Sequence, residues 1–215
     1  MNRSGLNRIV TISLADRSLL EHSFYRRWEQ GEVSIAELAI YAAQYRHFEN
    51  YLPGFLARLV DALPEGASRE LVAANLADEM GDPVPHVQLF ERFAGAVGAG
   101  TAEPSPAMAG LLGTYDDLLD RGALHGLAGF LAYECQAAGV ARSKADGLRR
   151  HYGLNEYAIS FWEHHAEVDV RHADWAISAL SEIGGTTQGL GASLRQAADA
   201  WWAFLDERET ALQAA

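Results

Sequence analysis

Glu163-His164-His165-Ala166-Glu167-Val168-Asp169-Val170-Arg171-His172 is the stretch on which the reading of this chain turns. His165, Asp169 and His172 stand at i, i+4 and i+7, so a helix places all three on one face, with about 10.5 Å of rise between the two histidines. A carboxylate between two imidazoles can serve two metal centres, and Asp169-x-x-His172 has the carboxylate–histidine spacing that recurs in di-iron bundle proteins. Taken alone, the segment reads equally well as the solvated polar face of a long helix. Glu163, His164 and Glu167 point off the His165 face and are expected at the surface.

Outward from this stretch, apolar positions recur at helical spacing almost everywhere and no segment alternates as a strand does. The spacing predicts helices from about Leu14 to Gln30, from Ser34 through Tyr45 toward Leu63 with a break or kink at Pro53, and from Ser68 to Met80. Ser34 with Glu37 has the capping-box spacing, and Ser68 is the expected cap of the third segment. Further helices are predicted over His86–Val97, Met108–Leu119, Gly122–Cys135 and onward, Lys144–Tyr152, Asn155–Ile183 and Leu190–Leu212. The Gly98–Pro106 and Gly184–Gly189 stretches are the linkers, and no internal repeat divides the chain. The expected fold is all-α, one helical bundle of about seven helices in a single domain over residues 1–215.

Two other segments supply the same residue types. Glu79 and His86 are separated by Gly81-Asp82-Pro83-Val84-Pro85, which a regular helix cannot cross, so the chain must loop and can turn both side chains toward one point. Glu134 lies within the largely apolar stretch Gly129-Phe130-Leu131-Ala132-Tyr133-Glu134-Cys135-Gln136-Ala137-Ala138, where a carboxylate is costly to bury without a cation or donor. Each has an ordinary reading too, as an exposed helix–turn–helix and a surface glutamate. Together, three carboxylates and three imidazoles without thiolate suit Fe or Mn. Glu49 is a further candidate, as an extra ligand or as an acceptor for a ligand histidine. His22, His125 and His151 stand alone and read as structural.

Composition narrows the function classes. The 215 residues carry a formal charge of −12, which argues against nucleic acid or an anionic membrane surface as partner. A single cysteine, Cys135, excludes an internal disulfide and a multi-cysteine metal site. No apolar run approaches the roughly 18 residues of a membrane span, and no signal peptide is expected at the N-terminus, so a cytoplasmic protein is the expectation.

Phe24-Tyr25-x-x-Trp28-x-x-Gly31, Tyr41-x-x-x-Tyr45, Asn75-Leu76-x-Asp78-Glu79-x-Gly81 and His86-x-x-Leu89-Phe90 resemble the haem-oxygenase-like diiron oxidases from about Leu20 to Leu180. The series Glu79, His86, Glu134, His165, Asp169, His172 is similar to that family's ligand set in order and spacing. The resemblance implies two metal ions, Fe/Fe or Fe/Mn, O2 as co-substrate and an external reductant. Within the family the chain is most similar to the chlamydial death-domain-associating type, the self-sacrificing 4-aminobenzoate synthases of folate biosynthesis. That likeness implies Tyr25 as the source of the ring and Lys144, in Ser143-Lys144-Ala145-Asp146, as the source of the amino group. Tyr133, beside Glu134, suits a radical relay. Where those proteins have a tyrosine four residues before the first ligand histidine of the long helix, here His165, this chain has Phe161. Related folds often pair, so a homodimer is expected, and Trp201-Trp202-x-Phe204 is either its interface or a last piece of core. The alternatives are an oxidase of an external amine, amino acid or fatty acid on the same scaffold, a TenA-like thiaminase with Cys135 as nucleophile, and a non-enzymatic interaction protein.

Overall fold

The computed structural model describes residues 2–81, 84–183 and 188–210. Among these the chain forms nine α-helices and no strand: α1 (Arg3–Leu14), α2 (Ser23–Gln30), α3 (Ile35–Ala62), α4 (Ala67–Met80), α5 (His86–Ala96), α6 (Pro106–Asp120), α7 (Ala123–His151), α8 (Glu156–Ile183) and α9 (Leu190–Thr210). The all-α expectation holds, with nine helices in place of about seven. The expected positions of Asp82, Pro83, residues 184–187 and the Leu212 helix end lie outside the described residues.

Local chemistry sets most boundaries. Ser34 opens α3 with a complete capping box: the Glu37 amide donates to Ser34 Oγ at 3.2 Å and the Ser34 amide to Glu37 Oε2 at 2.7 Å. Such a cap contributes about 1 kcal/mol. The helix then continues through Pro53, which neither ends nor divides it. The predicted helix from Leu14 to Gln30 is in fact three pieces. α1 stops at Leu14, a 3-10 turn spans Leu19–Glu21, and α2 starts afresh where His22 Nδ1 accepts from the Phe24 amide at 3.1 Å. Ser68 is not the cap of α4, which begins after Gly66; its hydroxyl donates instead to the Ala179 carbonyl of α8 at 3.0 Å. The segments predicted as 122–135 and 144–152 belong to one helix, α7.

α7 and α8 pack along their lengths and form the spine. α4 and α5 lie against α8, α3 bridges α4, α5 and α6, and α9 closes the bundle over α1, α6 and α7. α2 reaches α7 closely because residue 147 is glycine: a Cβ there would lie 3.0 Å from the Trp28 carbonyl oxygen and 3.1 Å from its ring. That approach brings Tyr25 and Trp28 against the helix that carries Lys144. In α9, Trp201 and Phe204 are core residues, with Trp201 stacked 4.3 Å from the Tyr133 ring, while Trp202 packs edge-on against His22.

Candidate metal centre

α4 ends just beyond Glu79 and α5 begins at His86, and the connection is as tight as the Gly/Pro break predicts. Gly81 has φ +61°, and any side chain there would collide with the Val84 carbonyl. The turn brings His86 Nδ1 to 2.9 Å from Glu79 Oε2. α8 lays His165, Asp169 and His172 along its inner face, and α7 presents Glu134 opposite. The six residues fall into two buried triads, Glu79/His86/His165 and Glu134/Asp169/His172, in each of which the potential ligand atoms lie within 4.8 Å of one another.

Outer partners orient the imidazoles. His165 donates Nδ1–H to the Phe161 carbonyl at 2.8 Å, which leaves Nε2 for the triad. His172 donates Nε2–H to Asp78 Oδ2 at 2.7 Å, and Asp78 also accepts from Arg171 at 2.7 Å. His172 Nδ1 then faces Asp169, Glu79 and Glu134 at 3.4, 3.5 and 3.7 Å. His86 meets His164, Nε2 to Nε2, at 2.9 Å. His164 is therefore no surface bystander: α5 approaches the flank of α8 and takes it in. Glu163 does sit outward, paired with Arg149, and Glu167 is exposed. Asp78 and His164 had no role in the sequence reading. Asp78 adjoins Glu79 in the chain, a position from which the next helix is reachable, but nothing local marks His164.

The electrostatics of the cluster call for cations. Burial pushes the Glu134 carboxyl well above the usual carboxylate range, and Asp169, Glu79 and Glu49 add to the effect. Glu49 is raised the same way, by burial and then by Glu79 and Asp169. At Glu79 burial is outweighed by the His86 hydrogen bond and by His165 and His172, so its carboxyl is held low. Burial lowers His165, while at His172 the surrounding carboxylates overcome burial and raise it. His172 Nδ1 and Glu134 Oε2 are both fully buried with no hydrogen-bond partner among the described residues. Orphaned acceptors of this kind cost about 1–3 kcal/mol each unless something occupies the space between them. A mixed nitrogen and oxygen donor set converging there fits a pair of transition-metal ions.

A second buried chamber adjoins the cluster. Lys144, only 2 % exposed, places Nζ 4.0 Å from the Trp162 ring centroid, 4.5 Å from Tyr25, 4.9 Å from Tyr41, 5.0 Å from Tyr45 and 5.4 Å from Trp28. Lys144 Nζ donates to the Tyr41 hydroxyl at 2.7 Å, and the Tyr41 and Tyr25 hydroxyls are 3.0 Å apart. The Tyr45 and Tyr133 hydroxyls meet at 2.6 Å. Tyr133 adjoins Glu134 in α7, and Tyr45 stands one helical turn before Glu49 in α3, so this pair lies between chamber and cluster. Tyr25 and Lys144, named separately from sequence, are thus brought together, and Tyr41 and Tyr45 join them. Phe161 packs its ring 4.1 Å from His165. Cys135 turns away from both chambers, lining a surface groove with Arg3, Val10 and Val170.

Residues 39–206 match the family of iron-containing redox enzymes. The chain belongs to that family of oxidoreductases. It is 32 % identical over 216 residues to the 4-aminobenzoate synthase of Nitrosomonas europaea, a match covering 90 % of this chain and 86 % of that one. It is 30 % identical over 171 residues to the 4-aminobenzoate synthase of Chlamydia trachomatis, covering 76 % and 74 %. A CADD-like protein of unknown function from Nostoc punctiforme superposes with a TM-score of 0.80 at 20 % identity, over 96 % of each chain. A domain with a haem oxygenase-like fold from Shewanella denitrificans superposes with a TM-score of 0.81 at 16 % identity, over 99 % of this chain and 94 % of that one, which establishes the haem-oxygenase-like helical fold.

Proposed function

We propose that this oxidoreductase is a self-sacrificing 4-aminobenzoate synthase in which Tyr25 supplies the ring and Lys144 the amino nitrogen. The observation that carries the reading is the chamber itself: a buried lysine amine 4.5 Å from the Tyr25 ring, joined to the Tyr25 hydroxyl through one intervening hydroxyl. The ring and Cβ of a tyrosine already have the carbon skeleton of 4-aminobenzoate, with oxygen where nitrogen must go. Lys144 meets the nitrogen requirement because burial drives its pKa well below the ordinary lysine value, against a weaker opposing pull from Glu49. That burial disfavours the ammonium and so favours the nucleophilic amine, which the surroundings of a surface lysine do not.

Glu79, His86 and His165 would hold one metal ion and Glu134, Asp169 and His172 the other, an iron pair or iron with manganese. Bound there and fed by an external reductant, the pair supplies O2 activation and one-electron oxidation. The chain's own residues do the rest. Phe161 and Asp78 orient two of the imidazoles. The aromatic walls exclude water from the amine. Tyr133 and Tyr45 share a proton between cluster and chamber, the position expected of a relay. A cytoplasmic homodimer remains part of this reading, and light scattering of the purified protein tests the dimer.

The test is to load the protein with Fe(II), with and without Mn(II), and add reductant and O2 but no organic substrate. The expected result is 4-aminobenzoate, with mass lost at Tyr25 and Lys144, and none from Tyr25→Phe. O2 consumption without aminobenzoate would reject self-sacrifice and redirect the search to an external amine, amino acid or fatty acid.

A further inference from the structure

Among the described residues, Tyr41 is the one whose hydroxyl touches both proposed reactants. It is wholly buried, accepts from Lys144 Nζ at 2.7 Å and lies 3.0 Å from the Tyr25 hydroxyl. Its ring is fixed by stacking on Phe24 at 5.5 Å and on Tyr45 at 5.4 Å, so the hydroxyl has little freedom to leave the space between the two. Burial, together with the neighbouring phenols Tyr25 and Tyr133, holds Tyr41 well above the ordinary tyrosine range. It therefore keeps its proton at rest and can lose one only as it gains another.

We infer that Tyr41 is a catalytic proton relay, carrying a proton from the Lys144 nitrogen to the departing Tyr25 oxygen as nitrogen replaces oxygen on the ring. This deepens the aminobenzoate reading and rests on it. The exchange balances without an oxidant. A C–N bond forms between Lys144 Nζ and the ring carbon bearing the Tyr25 hydroxyl, and the C–O bond at that carbon breaks. The nitrogen must lose one proton and the oxygen must gain one to leave as water. The hydrogen-bonded path Nζ–H to Tyr41 oxygen, Tyr41 O–H to Tyr25 oxygen performs both transfers at once and leaves Tyr41 unchanged. Release of Cβ from Cα and of nitrogen from Cε are separate, oxidative steps that use O2. In a chamber lined by Trp28, Tyr45 and Trp162, no other described hydroxyl bridges the two groups. Proton transfer by a positioned group contributes about a hundredfold or more.

The experiment compares wild type, Tyr41→Phe and a form with 3,5-difluorotyrosine at position 41, which keeps the hydroxyl and nearly the shape. All are loaded with Fe(II) and followed through a single turnover with O2 and reductant. Metal content and melting temperature are measured alongside. Wild type is expected to yield 4-aminobenzoate, Tyr41→Phe about a hundredfold less with metal content unchanged, and the difluorotyrosine form to recover most of the wild-type yield. Equal yields from wild type and Tyr41→Phe would overturn the relay and leave the synthase reading standing. Loss of ring mass at Tyr41 in place of Tyr25 would also overturn it, since Tyr41 would then be consumed. A Tyr41→Phe defect that difluorotyrosine fails to relieve would show that the hydroxyl's chemistry is not what matters. No aminobenzoate from wild type would refute the synthase reading itself, and the relay with it.

Discussion

The two buried chambers solve the problem of enclosed charge in opposite ways. In the metal cluster, Glu79, Glu134 and Asp169 converge with Glu49 close by, and the surrounding imidazoles cannot satisfy them all: His172 Nδ1 and Glu134 Oε2 are left without hydrogen-bond partners among the described residues. That chamber would be completed from outside, by cations. In the aromatic chamber a single lysine is enclosed by five rings, and burial works against its charge, lowering its pKa well below the ordinary lysine value. Carboxylates that need added charge suit a metal oxidant, while an amine whose charge is disfavoured suits a nucleophile. Placing the two side by side, with Tyr45 and Tyr133 between them, is what a reaction combining oxidation and amination requires.

The largest effect expected from this contrast is on the cluster. Stripping metal with a chelator leaves the carboxylates to repel one another, and a ligand bound about a thousandfold above its dissociation constant contributes about 4 kcal/mol. For a chain of this size the melting temperature should fall by about 10 °C on chelation and return when Fe(II) or Mn(II) is restored. Glu134→Gln should bind roughly one metal equivalent fewer than wild type. A melting temperature indifferent to chelation would mean that the orphaned groups are not metal ligands.

The aromatic chamber should respond to pH instead. Between the depressed folded pKa of Lys144 and its ordinary value of 10.5, the unfolded chain holds a proton that the folded chain lacks. Stability therefore rises with pH across that window, by up to about 1.4 kcal/mol per pH unit. Lys144→Met, similar in volume and without a titrating group, lacks this term. It should be more stable than wild type at pH 8, and the gap between the two should narrow by pH 10. Parallel stability profiles for the two proteins over that range would show that Lys144 is charged in the fold.

How far these chambers could be read from sequence depends on whether their geometry is local. His165, Asp169 and His172 were legible because helical period alone aligns them, and Glu79 with His86 because Gly81 and Pro85 forbid a continuous helix between them. The all-α class followed from the same periodicity. What failed was punctuation. α1 begins at an Asn2 cap and buries only Leu6 and Leu14, too sparse a pattern to stand out, and α7 runs unbroken where the spacing predicted Gly122–Cys135 and onward and then Lys144–Tyr152. Gly147 is where α2 presses close, which sequence cannot announce. The chamber contacts are likewise tertiary: Tyr41 and Lys144 are 103 residues apart, and only the packing of α3 near α7 joins them.

His164 offers the finest test of the division between ligands and their supports. It neighbours His165 in sequence, so on helical phase it belongs to the flank of α8. Yet its Nε2 lies 2.9 Å from the nitrogen of His86 that faces away from Glu79. Burial, then His86 and His165, push its pKa down to about 4, so at neutral pH it is uncharged and, once a metal takes the place of the proton on His86 Nδ1, it would accept the His86 Nε2–H. Such an acceptor fixes the ligand's tautomer and ring plane without touching the metal. His164→Ala should weaken retention of one metal of the pair by about tenfold, at the low end for lost outer partners, and leave the other unaffected. His164→Gln, whose side-chain oxygen can accept the same hydrogen bond, should recover part of that loss. Competition with a chromophoric chelator resolves the two sites. Loss of both metals in His164→Ala would make His164 a ligand in its own right, and loss of neither would mean that Glu79 alone orients His86.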